Sequence, residues 1–138
     1  MQTKFLSGAL SVAGQIAPAD MVEIAHAGFK SIICNRPDGE SADQPAFTEI
    51  EAAADLAGLT AAYLPVVAGK MIEDEAQTFG TLVDKLEKPI LAYCRTGTRS
   101  TTLWSLSESA RGRPATDILS ITKAAGYDMS ALLPPSSK

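Results

Sequence analysis

The sequence predicts an α/β fold: a central, largely parallel sheet of four to five strands flanked by helices. Three observations carry this. Short apolar runs alternate with longer segments of helical periodicity, and Pro and Gly fall at the junctions. Of the 138 residues, 46% are hydrophobic and 20% charged, enough apolar mass for one core and too much for a disordered chain. The length suits one domain, read here as residues 1–133, followed by a loose tail at 134–138, Pro-Pro-Ser-Ser-Lys.

In chain order, Lys4–Leu10 and Ser11–Ala13 read as short strands around Gly8, with a turn at Gly14-Gln15. Pro18 suits a helix start, where its missing N–H costs nothing. Met21, Ile24 and Ala25 line one face of that helix, and Gly28 closes it. Ser31–Asn35 has the mostly apolar pattern of a buried strand, and the loop Arg36-Pro37-Asp38-Gly39-Glu40 follows. Pro45 opens a second helix, striped by Phe47, Ile50, Ala54 and Ala57 and closed by Gly58. Leu59–Val67 is the next strand, with Pro65 near its end. Met71–Lys88 has the clearest helical pattern, with Ile72, Ala76, Phe79, Val83 and Leu86 on one face. Glu73, Asp74 and Glu75 in its first turn, and Lys85 and Lys88 in its last, suit the helix dipole. After Pro89, Ile90–Tyr93 is a buried strand that delivers Cys94. A helix then runs from the loop Cys94–Ser100 to about Arg111, with Leu103, Leu106 and Ala110 on one face. A last helix runs from Pro114 to near Gly126. Phe47, Phe79 and Trp104 read as core.

Scarcity excludes several functions. The chain has one histidine, His26, two cysteines, Cys34 and Cys94, and a net charge of -4. No metal site of the histidine/cysteine kind, no disulfide framework and no cofactor is implied. An acidic chain without a basic stripe is a poor partner for nucleic acid. Met1–Gly14 has no apolar block of secretory-signal length, and no run approaches a membrane span. With free thiols, this predicts a cytoplasmic protein with no membrane partner. His26 reads as a surface or boundary residue near a helix C-terminus, and Cys34 as a core thiol rather than a resolving cysteine for Cys94.

The richest stretch is Tyr93-Cys94-Arg95-Thr96-Gly97-Thr98-Arg99-Ser100. A cysteine ends a buried strand, a short loop with a glycine follows, and an arginine heads a helix. Sites in α/β sheets lie beyond the carboxyl ends of the strands. Backbone N–H groups of such a loop can converge on one point, and the helix N-terminus adds positive potential, so an anion is held well there, and so is a thiolate. Cys94 and Arg99 are therefore the candidate catalytic pair, Arg99 offering a paired fork of donors to an oxyanion. Arg95, Thr96, Gly97, Thr98 and Ser100 complete the candidate anion-binding loop. Gly97 permits the tight turn, and the hydroxyls of Thr98 and Ser100 are placed to donate to the sulfur. Arg95 is expected to point outward, where it could recruit an anionic donor. Arg36 and Asp38 either bind substrate or support the cysteine loop at this rim, or form an ordinary turn in which Arg36 pairs with Glu40.

Two kinds of enzyme use this device. Tyrosine-phosphatase-type enzymes place five residues between cysteine and arginine, and rhodanese-type sulfurtransferases often place four. Here four separate Cys94 from Arg99. Beyond the loop, Gly14-Gln15, Asn35–Glu40, Tyr63-Leu64-Pro65-Val66, Cys94–Ser100 and Gly126-Tyr127-Asp128 together resemble one bacterial family, the phosphatase-like domain of beta-lactamase-hydrolase-like proteins. The resemblance covers nearly the whole chain. It implies a compact tyrosine-phosphatase-like domain with phosphatase-like or sulfurtransferase chemistry. It also implies a functional link to a persulfide-oxidising enzyme, since fused members carry a domain of that kind.

The first expectation is therefore a sulfurtransferase that carries sulfur as a Cys94 persulfide to a thiol acceptor. The second is a phosphatase with a Cys94 thiophosphate. The third is a non-catalytic anion- or phosphopeptide-binding domain. The substrate would be a small anion: thiosulfate, a persulfide or a phosphoester. Phosphatases resembling this fold carry a general-acid aspartate soon after the strand-ending proline, but Pro65 is followed by Val66-Val67-Ala68-Gly69-Lys70. Asp38 or Asp74 would have to supply the proton that a leaving oxygen needs.

Overall fold

The computed structural model describes residues 2–69 and 73–133. The tail at 134–138, the helix start expected at Met71 and the stripe residue Ile72 lie outside the described residues. Five strands form one sheet: β1 Thr3–Phe5, β2 Leu10–Ala13, β3 Ser31–Cys34, β4 Thr60–Tyr63 and β5 Ile90–Tyr93. Their spatial order is β1-β2-β5-β3-β4. β1 is antiparallel to β2, and the other three pairings are parallel. The expected largely parallel α/β sheet is therefore what forms.

Composition explains which strands lie in the middle. β2, β3 and β5 are buried along their whole length, whereas β1 is exposed and β4 only half-buried. Central parallel strands are covered on both faces and so need continuous runs without charge. Helices supply the cover. α1 Met21–His26 and α2 Phe47–Leu56 pack one face through Met21, Ile24, Ile50 and Ala54 against Ile32, Cys34, Leu91 and Tyr93. α3 Glu73–Lys85, α4 Thr98–Ala110 and α5 Ala115–Ala124 pack the other through Phe79, Leu103, Trp104 and Ile118 against Val12, Ile33, Ile90 and Ala92. Phe47, Phe79 and Trp104 are buried as expected, and His26 ends α1 exposed. Among the described residues, no helix is long and apolar enough to cross a membrane.

Several element ends differ from expectation, each for a local reason. The strand expected over Lys4–Leu10 stops at Phe5, because the amides of Leu6 and Ser7 both turn to the Leu10 carbonyl and close a hairpin. The helix expected at Pro18 begins as a 3-10 turn, Pro18–Asp20. The helix expected from Pro45 starts at Phe47, and Pro114 caps α5 rather than joining it. The strand expected over Leu59–Val67 is regular only from Thr60 to Tyr63. Pro65 has no amide to give a ladder, yet Leu64 and Val66 still donate to the carbonyls of Cys34 and Asn35, so the chain hugs the strand ends.

The register does the rest. Ala13 pairs with Tyr93, Tyr93 with Cys34, and Cys34 with Tyr63, so four parallel strands end level. The residues that follow them (Gly14-Gln15, Cys94–Gly97, Asn35-Arg36 and Leu64–Val66) meet at one edge.

Candidate active site

Cys94 stands just past β5 and is only 1% exposed. Its sulfur accepts a hydrogen bond from the Gly97 amide at 3.1 Å. Gly97 is also the N-cap of α4, with φ of 91°, a left-handed conformation that a side chain would strain. The thiol therefore sits under the first turn of a 13-residue helix, where the backbone favours negative charge. The loop is tied from outside at three points. The Cys94 amide donates to Ala13, the Gln15 amide donates to Arg95, and the Tyr127 hydroxyl donates to the Thr96 carbonyl at 3.0 Å.

Arg99 lies on the first turn of α4 and does not float free. Two of its nitrogens hold the Glu40 carboxylate at 2.7 and 2.9 Å, and one also donates to the Val66 carbonyl at 2.9 Å. Glu40 in turn accepts from Arg36 Nε at 2.9 Å, and Arg36 donates to the Gln15 side chain at 2.9 Å. One carboxylate thus bridges two guanidinium groups. Arg99, then Arg36, hold the Glu40 carboxyl at about 2, far below its ordinary value of 4.5. Glu40 first, with Cys94 adding to it, keeps the Arg99 guanidinium charged. Arg36 is 5% exposed, and its ion pair belongs to the support of Arg99. Arg36 thus pairs with Glu40 as the turn reading has it, and Glu40 carries the contact on to Arg99.

The hydroxyls depart from expectation. Ser100 is fully buried but gives its proton to the Asn35 side-chain oxygen at 2.8 Å, not to the sulfur. The Asn35 amide then donates to the Leu64 carbonyl at 2.9 Å, which pins α4 to the ends of β3 and β4. Thr98 faces Thr96, their hydroxyls 3.1 Å apart, rather than Cys94. Ser100 is thus a brace for the loop.

Beside the loop opens a cleft of about 530 Å³, whose walls include Val66, Val67, Gly69, Leu106 and Leu132. Arg95, Thr96, Thr98 and Arg99 line its polar side, with Arg95 exposed as expected. Neither expected acid faces it. Asp38 accepts the Phe47 amide at 2.9 Å, a capping task at the start of α2, while its own amide donates to the Tyr63 hydroxyl. Asp74 is exposed on α3 and does not line the cleft, whereas its neighbour Glu73 does. Among the described residues, no three histidine, cysteine or acidic side chains cluster as a metal would require.

Sequence reasoning assigned no task to Gln15, Asn35 or Tyr127, and gave Glu40 only to Arg36, not to Arg99. A signal existed: each lies in one of the motifs that carried the family resemblance, in loops near the sheet's carboxyl edge.

Comparison with known proteins agrees with this geometry. Residues 2–112 match the family model described as beta-lactamase hydrolase-like protein, phosphatase-like domain. A beta-lactamase hydrolase-like protein of Agrobacterium fabrum is 38% identical over 123 residues, which cover 88% of this chain and 28% of that protein. The chain therefore spans little more than a quarter of the curated relatives it matches. Among solved structures, a candidate phosphatase from Neisseria meningitidis Z2491 superposes with a TM-score of 0.85 at 38% identity, covering 94% of this chain and 92% of that one. The structure of P. aeruginosa TpbA in complex with phosphotyrosine has a TM-score of 0.66 at 12% identity, covers 93% of this chain and 76% of that one, and shares the fold.

Proposed function

The chain belongs to the family of phosphatase-like domains of beta-lactamase hydrolase-like proteins, and on that premise we propose that it is a cysteine-dependent phosphatase acting on a small phosphoester. The observation that carries this reading is the Cys94 sulfur held by the Gly97 amide at the head of α4, with the Arg99 fork fixed beside it by Glu40. The Cys94 thiolate attacks phosphorus, the phosphorus–oxygen bond to the leaving group breaks, and a thiophosphate forms on Cys94. Water then attacks that phosphorus, releasing phosphate and restoring the thiolate. Loop amides and Arg99 neutralise the oxygens of the transferring group, the largest catalytic contribution in such chemistry. The leaving oxygen needs a proton. Glu73, on the cleft wall, is the acid best placed to give it, ahead of Asp38 and Asp74. Phosphotyrosine in the TpbA complex illustrates the substrate class that the fold accepts in another protein.

A second reading, sulfur transfer, has two observations in its favour. Only four residues separate Cys94 from Arg99, and no acidic residue lies between Pro65 and Gly69. In that chemistry the Cys94 thiolate attacks the outer sulfur of thiosulfate, sulfite leaves with the bonding electron pair, and the persulfide passes to a thiol or to cyanide. No acid is needed. One paired assay separates the readings: aryl-phosphate hydrolysis alongside thiocyanate formation from thiosulfate and cyanide, each with wild type and Cys94→Ser. The phosphatase reading expects phosphate release that Cys94→Ser abolishes. Thiocyanate formation with sulfur on Cys94 by mass spectrometry, and no phosphate release, overturns it in favour of sulfur transfer. Ligand binding that persists in Cys94→Ser, with no turnover of either kind, would make the domain a binding module.

A further inference from the structure

A peptide unit is planar and trans, so its C=O and N–H point in opposite directions. Whatever grips the carbonyl therefore aims the amide. In the Thr96–Gly97 peptide, the Thr96 carbonyl accepts the Tyr127 hydroxyl at 3.0 Å, and the Gly97 amide points the other way, to the Cys94 sulfur at 3.1 Å. The preceding peptide is held in the same sense. The Arg95 carbonyl accepts the Gln15 amide at 3.2 Å, which turns the Thr96 amide to the opposite side. Both grips come from outside the loop, one from the segment after α5 and one from the turn after β2.

Both contacts are tight. A Cβ on Gly14 would stand 2.9 Å from the Arg95 carbonyl oxygen, closer than real side chains come to backbone. A Cβ on Gly97 would collide with the Tyr127 hydroxyl. The glycines thus let the Gln15 turn and the Tyr127 ring press directly against the loop. Tyr127 is half-buried, and burial, together with Cys94, pushes its phenol up, so it stays a neutral O–H donor at ordinary pH.

We propose that Tyr127 is a positioning residue: with the Gly14-Gln15 turn, it clamps the outer carbonyls of the cysteine loop and so aims the Thr96 and Gly97 amides at the oxyanion or thiolate inside. The proposal rests on the cradle assigned above but not on which group the cradle transfers. A purely structural Tyr127 would only tether the chain after α5. Phenylalanine in its place keeps the ring and removes the clamp.

The test uses tungstate, a phosphate-shaped oxyanion, with affinity measured by calorimetry on wild type, Tyr127→Phe and Gly14→Ala. The Cys94 alkylation rate by iodoacetamide at neutral pH and the melting temperature are read alongside. Both variants are expected to bind tungstate about tenfold more weakly, about 1.4 kcal/mol, and to alkylate more slowly at Cys94. Either variant melting below wild type while keeping its tungstate affinity and alkylation rate overturns the clamp and leaves a tether. Wild type that does not bind tungstate also overturns it, because there is then no cradle to aim. Tungstate affinity that depends on Tyr127, in a chain that hydrolyses no phosphoester, would uphold the clamp and defeat the phosphatase reading alone.

Discussion

Cys34 and Cys94 sit at the ends of neighbouring parallel strands, 2% and 1% exposed. Burial does not separate them, but the direction of their hydrogen bonds does. Cys34 donates its proton to the Arg36 carbonyl at 3.3 Å, among Ile32, Leu91 and Tyr93, and burial pushes its thiol up. Cys94 accepts, from the Gly97 amide, and stands beside the Arg99 guanidinium. The residues that follow β3 thus leave Cys34 as a buried thiol within the core. Cys94 lies instead where the next residues fold back, so that the Gly97 amide points at its sulfur at the head of α4. The difference between the two thiols lies in the loops that follow them, not in the strands that carry them.

The comparison can be broken by mutation, starting with the largest effect. Cys94→Ser should lower aryl-phosphate hydrolysis by at least about 10³-fold, the scale on which nucleophile removal acts. Residual turnover near wild type would move the chemistry elsewhere. Arg99→Lys keeps charge but loses the two-pronged grip on Glu40 that fixes the side chain beside Cys94. A fall in kcat/KM of about 10²-fold is expected, and near-normal turnover would remove Arg99 from the site. Glu40 gives a pH-dependent test. Its carboxyl lies at about 2 in the fold against 4.5 ordinarily, so its pairing stabilises the protein above pH 4.5 and is lost as pH falls toward 2. Melting temperature should drop through that window in wild type and less steeply in Glu40→Gln; identical slopes would discount the Arg36–Glu40–Arg99 bridge. The smallest effect is Cys34→Ala. It should cost about 1 kcal/mol of stability by urea unfolding and leave turnover within about twofold. A large loss of turnover would make Cys34 a working partner of Cys94.

Local pattern made much of this legible. Ile90–Tyr93 is a strand residue for residue as read, because an apolar run between Pro89 and a turn admits little else. Gly97 as the loop's turning point, and Arg95 facing outward, follow from the same short range. Ser100 was misassigned because its partner, Asn35, is 65 residues away. The Arg99–Glu40 pair spans 59 residues and the Arg36–Gln15 pair 21. Spacing along the chain contains no such distances. Helical phase decides which acidic residue of the first turn of α3 lines the cleft: Glu73 does and Asp74 does not, which the run Glu73-Asp74-Glu75 alone does not tell.

The amino-acid sequence by itself determined the α/β class, the parallel centre of the sheet and the place of the cysteine loop between a buried strand and a helix. These rest on periodicity, on turn chemistry and on a donor-rich loop at a strand end, all properties of contiguous residues. Only the tertiary structure decided which hydroxyl braces α4, which carboxylate fixes Arg99, and which groups clamp the loop's carbonyls. Those choices depend on four strand ends finishing level, and that register is set by packing across the sheet rather than by any one segment.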